Sequence, residues 1–307
     1  MQNSKKILVL FIAIFVLCVS ACSGGSPLEV NELHVNKPQA ENEAADEADP
    51  RESAMDSLPD NLDFGGEKIR ILNRAPSVSY TTAFFSEIEG EIDSGDIVVD
   101  AIYRRNRSVE DRLNIEIISI EIPGGWDEQD VFLRAIKNSV ASGGDDYDFI
   151  AAYSYYITPI ATEGTLYNLK NLNYLSPEQI WWSADCANEM MIDGKLYFIA
   201  GDLAISLLKN MYVTFFNKQL AQDLNVENMY QMVLNGDFTV DKLKELTKDT
   251  WRDLNGDGIA DKGDAFGYAV TMGTYLDAMF ATLDNPITVK NQDGIPELAL
   301  NTPKTVQ

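Results

Sequence analysis

An α/β fold is predicted for the body of this 307-residue chain, and three observations predict it. Short β-branched runs alternate with amphipathic helical runs from Phe64 onward. The first five of these elements follow the order strand, helix, strand, helix, strand. A hydrophobic content of 45% allows a substantial core, or more than one. Helices placed between successive strands point to a parallel sheet covered by helices.

Each element has its own signal. Lys68-Ile69-Arg70-Ile71-Leu72 alternates polar and apolar residues, the period of a strand. Val98 to Leu113 has helical spacing: Val98/Ile102 and Val109/Leu113 are apolar i, i+4 pairs, and Asp100/Arg104 is a surface ion pair at the same spacing. Ile115 to Ile120 is β-branched and strand-like, and Pro123-Gly124-Gly125 breaks the pattern. Val131, Phe132, Ala135, Ile136, Ser139 and Val140 line one face of a second helix. Tyr147 to Ala152 is a third strand, entered through Ser142-Gly143-Gly144-Asp145-Asp146. Further strands are predicted at Lys195 to Ala200, Tyr212 to Phe216 and Tyr268 to Val270. A short helix starts at Lys218, and another, capped by Thr239, runs to about Thr250. The chain has no internal repeat.

The N-terminus predicts export. Lys5 and Lys6 precede an apolar run from Ile7 to Val19. As a helix this run rises about 20 Å, short of the roughly 30 Å hydrocarbon core, so residues 1–21 read as a signal peptide. Val19-Ser20-Ala21-Cys22 resembles the lipobox of bacterial lipoproteins, which implies lipidation of Cys22 and attachment to the outer face of the cytoplasmic membrane. Residues 22–63 follow as a lipid-anchored acidic tether. From Ser26 to Asp63 eleven acidic residues face only Lys37 and Arg51, with no aromatic residue, a composition that predicts disorder.

Composition also excludes functions. A net charge of -24 argues against nucleic acid as a partner. The single histidine, His34, lies in the tether, so histidine triads and histidine-based zinc chemistry are excluded from the body. After Cys18 and Cys22, Cys186 is the one cysteine left, too few for an internal disulfide. No Walker P-loop, GxGxxG or GxSxG motif is present. Carboxylates are plentiful, but none is marked out as a catalytic pair.

Five segments, in order, carry a resemblance. They are the run from Asp100 to Ile115; Tyr147-Asp148-Phe149-Ile150; Gly194 to Asp202; Tyr212 to Leu220, containing Asn217-Lys218; and Gly236-Asp237-Phe238-Thr239-Val240-Asp241-Lys242-Leu243. Together, over roughly Lys68 to Pro303, they resemble extracellular solute-binding proteins of ABC importers, family 1, the sugar-binding group. The resemblance implies a periplasmic-binding-protein-like (type II) two-lobe fold, with a first lobe over 64–205 and a second over 206–307. Members usually continue well past this point, whereas here Thr302-Pro303 looks like a helix start just before Gln307, so the second lobe is expected to be incomplete.

Two candidate sites follow. Asp253, Asn255, Asp257, Asp261 and Asp264 fall at positions 1, 3, 5, 9 and 12 of an EF-hand register, with Gly258 at 6 and the Ile259 carbonyl at 7. This looks closest to dockerin-like or thrombospondin-like calcium loops and predicts a structural calcium ion; a solvated acidic turn is the alternative. For a transported ligand, the carboxyl ends of the strands are the place to look. They offer Asn73, Arg74 and Tyr80 after the first strand, and Tyr153, Ser154, Tyr155 and Tyr156 after the third. Trp181, Trp182 and Asp202 are further candidates.

The expectation is therefore a non-catalytic, monomeric binding lipoprotein that captures a mono- or oligosaccharide and delivers it to an ABC permease. A cell-surface glycan-active enzyme and a calcium-dependent adhesion or scaffold module are the alternatives.

Overall fold

A computed structural model describes residues 49–75, 87–226, 228–270 and 273–306. The signal peptide, Cys22, His34, most of the tether and Tyr80 lie outside the described residues. Among the described residues no helix is long and apolar enough to cross a membrane. The chain divides into two compact units, the first ending at Asn210 and including Asn291–Ile295, the second made of Met211–Lys290 and Pro296–Gln307. That boundary lies five residues beyond the predicted end of the first lobe at 205.

The first unit contains strands β1 (Glu67–Ala75), β2 (Ile115–Pro123) and β3 (Phe149–Ala151), all parallel, in the order β2-β1-β3. Helix α1 (Ile97–Leu113) joins β1 to β2, and α2 (Gln129–Ala141) joins β2 to β3; α3 (Ser154–Ala161) follows. The pleat sends alternate side chains to opposite faces. Ile69 and Ile71, with Ile115 and Ile117, pack on Val109 and Leu113 of α1. Leu72, with Ile120, Ile122 and Ile150, packs on Phe132 and Ile136 of α2 and on Tyr156, Ile157 and Ile160 of α3. Helices therefore cover both faces of the sheet, as the sequence predicts. The chain leaves β1 for one neighbour and later returns to the other, so its direction across the sheet reverses between β1 and β3.

Local chemistry sets the ends of these elements. The Asp96 side chain accepts from the N–H groups of Val98 and Val99 at the start of α1, and Asn114 ends it in the left-handed region at φ 52°. Asp100, predicted to pair with Arg104, accepts from the Ser94 hydroxyl and N–H and also feels the attraction of Arg104.

Residues 49–63, predicted as part of the tether, make defined contacts instead. Pro50–Ser53 forms a 3-10 turn, Leu58 is buried against Ile69 and Leu113, and Asp56 receives two hydrogen bonds from Arg112 at 2.6 and 3.1 Å. Counting charges hid these anchor points: one leucine and one paired carboxylate are enough to order a short segment.

Three predicted strands are not strands. Over Lys195 to Ala200 no strand forms: the Leu196 N–H donates to the Asn168 side chain and its carbonyl accepts from Leu169, so a loop satisfies the backbone instead of a ladder. In the second unit, Tyr212 to Phe216 and Tyr268 to Val270 pair with no strand among the described residues, and Phe215 is 91% exposed. That unit holds short helices at Lys218–Asp223, Met229–Leu234, Val240–Thr247 and Thr274–Thr282, and an antiparallel hairpin of β4 (Thr288–Lys290) and β5 (Pro296–Leu298). Thr239 caps its helix as predicted, accepting from Lys242, although the helix ends at Thr247 rather than Thr250. Among those of its residues whose burial is described, only Met232 is a buried hydrophobic.

Candidate functional site

The carboxyl ends of β1 and β3 gather an arginine and four aromatic rings. Arg74 leaves β1 on the face covered by α2 and α3, and its guanidinium carbon stands 5.3 Å from the ring centre of Tyr156 and 5.6 Å from that of Tyr153. Tyr153 precedes α3, and Tyr155 and Tyr156 lie in its first turn. Tyr156 is buried, and its hydroxyl donates to the Gly125 carbonyl at 2.9 Å. Tyr153 and Tyr155 stack at 5.9 Å, and Trp126 stacks on Tyr155 at 5.5 Å, with interplanar angles of 28° and 27°. Burial lowers the pKa of the Arg74 guanidinium, while Tyr156, Tyr153 and Glu87 act to raise it. Burial likewise raises the Tyr156 phenol, against the pull of Arg74.

This patch can do two things chemically. The half-exposed side chains of Tyr153, Tyr155 and Trp126 offer apolar surface to a ligand, and a guanidinium offers donors to its polar groups. Gly124, two residues before Trp126, makes the arrangement possible. A Cβ on Gly124 would lie 2.7 Å from Cγ of Arg74, so the loop can rest on the arginine stem only without a side chain there.

Of the candidate residues, Arg74, Tyr153, Tyr155 and Tyr156 are thus brought together, and Ser154 sits among them, exposed, at the start of α3. Trp126 and Gly124 were missed. The Pro-Gly-Gly breaker marked a loop, and a lone tryptophan in a loop has no periodicity to give it away. Asn73 does not join the cluster. As the neighbour of Arg74 it faces the α1 side, is buried, and donates to the Ser119 hydroxyl at 2.9 Å beside a cavity of about 140 Å³. Trp181 and Trp182 are core residues instead, buried against Ala54, Leu175, Ile180, Ile199 and Leu203. Asp202 pairs with Arg51 at 3.3 Å and so fastens the segment after Asp49. A larger hollow of about 730 Å³ in the second unit is lined mainly by polar residues, among them Asn235, Asp237, Lys242 and Glu245.

The loop from Asp253 to Asp264 is closed by an antiparallel bridge between Arg252 and Ala265. Gly258 takes φ 72°, the turn that position 6 requires. The Asp253 carboxylate accepts from the N–H groups of Gly256 and Gly258, Asn255 from Asp257, Asp257 from Ile259, and Asp261 from Gly263. Asp264 accepts from Leu254 N–H and from the Trp251 indole at 3.1 Å. The Gly258 and Gly256 N–H groups hold Asp253 below the usual aspartate range. At Asp264, burial pushes the other way but the bonds from Leu254 and Trp251 prevail. The donor chemistry suits a hard cation, and the spacing brings the oxygens to one loop. Their present hydrogen bonds turn several of them onto the backbone, and among the described residues no group of three or more Asp, Glu, His or Cys side chains is placed to share a metal ion.

The chain is a mixed α/β protein with a small parallel sheet and helices on both of its faces. No family model, curated protein or solved structure matches it.

Proposed function

We propose that this chain is a membrane-anchored extracellular solute-binding protein of the two-lobe type II class, which captures a mono- or oligosaccharide for an ABC permease. The observation that carries the reading is the meeting of Arg74, Tyr153 and Tyr155 at the carboxyl ends of β1 and β3, where the strand order reverses. Aromatic faces stack on the C–H faces of sugars, and the guanidinium serves their hydroxyls. Capture requires no bond to be made or broken. Cys22 is the lipid attachment point in this proposal. Asp253, Asn255, Asp257, Asp261, Asp264 and the Ile259 carbonyl would hold a calcium ion that braces the second unit, once the side chains turn from the backbone toward the metal.

Titration with labelled saccharides tests the proposal. Saturable binding with one site per chain and no change in the sugar is expected. Turnover of the sugar would replace the carrier with the enzyme alternative, and failure to bind any saccharide would remove both. For the calcium loop, terbium luminescence sensitised by Trp251 should saturate with calcium competing on the order of 10⁻⁴ to 10⁻³ M; no sensitised emission would eliminate the metal.

A further inference from the structure

The α1 side of the sheet holds a pocket of a different kind. A cavity of about 140 Å³ lies between α1, β2 and the segment from Glu87 to Gly90, walled by Ile88, Gly90, Tyr103, Glu110, Ile117 and Ser119. It has room for several waters, each of which takes roughly 30 Å³ in the liquid. Its walls are fixed. The Ile88 carbonyl accepts from the Asn106 side chain at 2.6 Å, and the Glu87 carbonyl accepts from Arg105 at 2.7 Å. A Cβ on Gly90 would lie 2.3 Å from the Tyr103 nitrogen, so this segment rests directly on the helix backbone.

This corner of the molecule is short of hydrogen-bond donors. Glu110 is 5% exposed, and one of its carboxylate oxygens accepts from the Ile117 N–H at 2.7 Å. The other oxygen faces the half-exposed Arg107 as an ion pair but makes no hydrogen bond among the described residues. Asn73, 6% exposed, donates to the Ser119 hydroxyl in the cavity wall, and its Oδ1 is likewise without a hydrogen bond. Buried acceptors normally find a donor, and each one left without costs free energy. Charge is unbalanced in the same sense. Glu89 and Glu110 both line the cavity, and burial first, then the Glu89 charge, push the Glu121 carboxyl above its ordinary pKa. Against these three carboxylates stand Arg107 and Arg105, and Arg105 is committed to the Glu87 carbonyl and the Asn106 side chain.

We propose that this cavity is a ligand site separate from the Arg74 cluster, and that it takes a small primary ammonium ion whose N–H groups donate to the Glu110 carboxylate and the Ser119 hydroxyl. Such an ion supplies both the donors and the positive charge that the cavity lacks. Its short alkyl tail lies against Ile88, Tyr103 and Ile117. A bare metal ion fits less well, because it needs several convergent oxygens, and among the described residues no three acidic side chains are placed to share one. The site is on the opposite face of the sheet from Arg74 and does not depend on the carbohydrate reading.

Calorimetry and thermal unfolding of the full chain with methylammonium and ethylammonium chloride test this. Tetramethylammonium chloride at equal ionic strength is the control, since it carries the charge but no N–H. We expect saturable binding with a Kd on the order of 10⁻³ M, as suits so small a ligand, and a rise in Tm that the control does not produce. Glu110→Gln keeps an oxygen for the Ile117 N–H but removes the charge, and should weaken binding about tenfold or more. Ser119→Ala, a smaller change, should weaken it about threefold or more, and it decides the matter if Glu110→Gln does not fold. Glu116→Gln alters an exposed carboxylate of the same strand, paired with Lys68, and should leave binding unchanged. Equal effects of methylammonium and tetramethylammonium overturn the site, as does binding that is indifferent to both Glu110→Gln and Ser119→Ala. Sodium or potassium chloride matching methylammonium in full would make the occupant a metal ion and overturn the amine.

Discussion

At Gly124 a single methyl group has unusual leverage. In Gly124→Ala the new Cβ would meet Cγ, Cβ and Cδ of Arg74 at 2.7, 3.0 and 3.0 Å, so the loop or the arginine must move. We expect a loss of about 1–3 kcal/mol by urea unfolding, the usual cost of overpacking, together with a changed near-ultraviolet circular dichroism signal from the ring stack. Asp148 offers a second test. Its carboxylate is 5% exposed and pairs with Arg70 at 3.0 Å, whereas Asp145, the other partner of Arg70, is 89% exposed. Both carboxylates raise the pKa of Arg70, Asp148 first. Burial decides which matters for stability. Asp148→Ala should cost about 3 kcal/mol, because it strands a partly buried cation. Asp145→Ala should cost about 1 kcal/mol at most, as exposed ion pairs do. Equal effects in the two variants would refute this ranking.

Among the elements, the segment from Asp49 to Asp63 reverses its sequence reading most clearly. If it is part of the first unit, Leu58→Ala removes a buried side chain and should cost about 2–5 kcal/mol by urea unfolding, whereas in a free tether it would cost nothing. The acidic loop makes a prediction about pH. The folded pKa of Asp253 lies below its ordinary value of 3.8, so the stability from its hydrogen bonds is complete above that range and is lost as the pH falls through the lowered value. Trp251 fluorescence should therefore stay level from neutrality to about pH 5 and change only below the ordinary aspartate range; a transition near neutrality would contradict this. The same elements show what a sequence can reveal. β1, α1, β2, α2 and β3 were legible because each has its own pattern, and Thr239 announced a helix start. The segments over 195–200, 212–216 and 268–270 were misread because a strand depends on its ladder partner, and local alternation cannot supply one. Trp181 and Trp182 were assigned to the ligand because adjacent tryptophans look the same in a core and in a site. Trp126 went unnoticed because its partner in the stack, Tyr155, lies far along the chain.

In the molecule as a whole, stability is unevenly shared. The first unit has three hydrophobic clusters around and beside its sheet, while the second buries one hydrophobic residue among those described. Amide exchange should show this, with β1 and α1 protected on the order of a hundredfold or more above the helices between Lys218 and Thr247. Comparable protection in both would mean that the second unit has gained a core from another source, such as calcium or a partner. A last consequence comes from the opposite outlooks of Asn73 and Arg74. β1 is paired on both sides, so inserting one residue between Lys68 and Asn73 would break two ladders or invert every side chain beyond the insertion. Arg74 would then press its charge into the layer beneath α1, and the ring stack would lose its cation. Length changes that surface loops tolerate readily should therefore dismantle the Arg74–tyrosine cluster here, even in a chain that still folds.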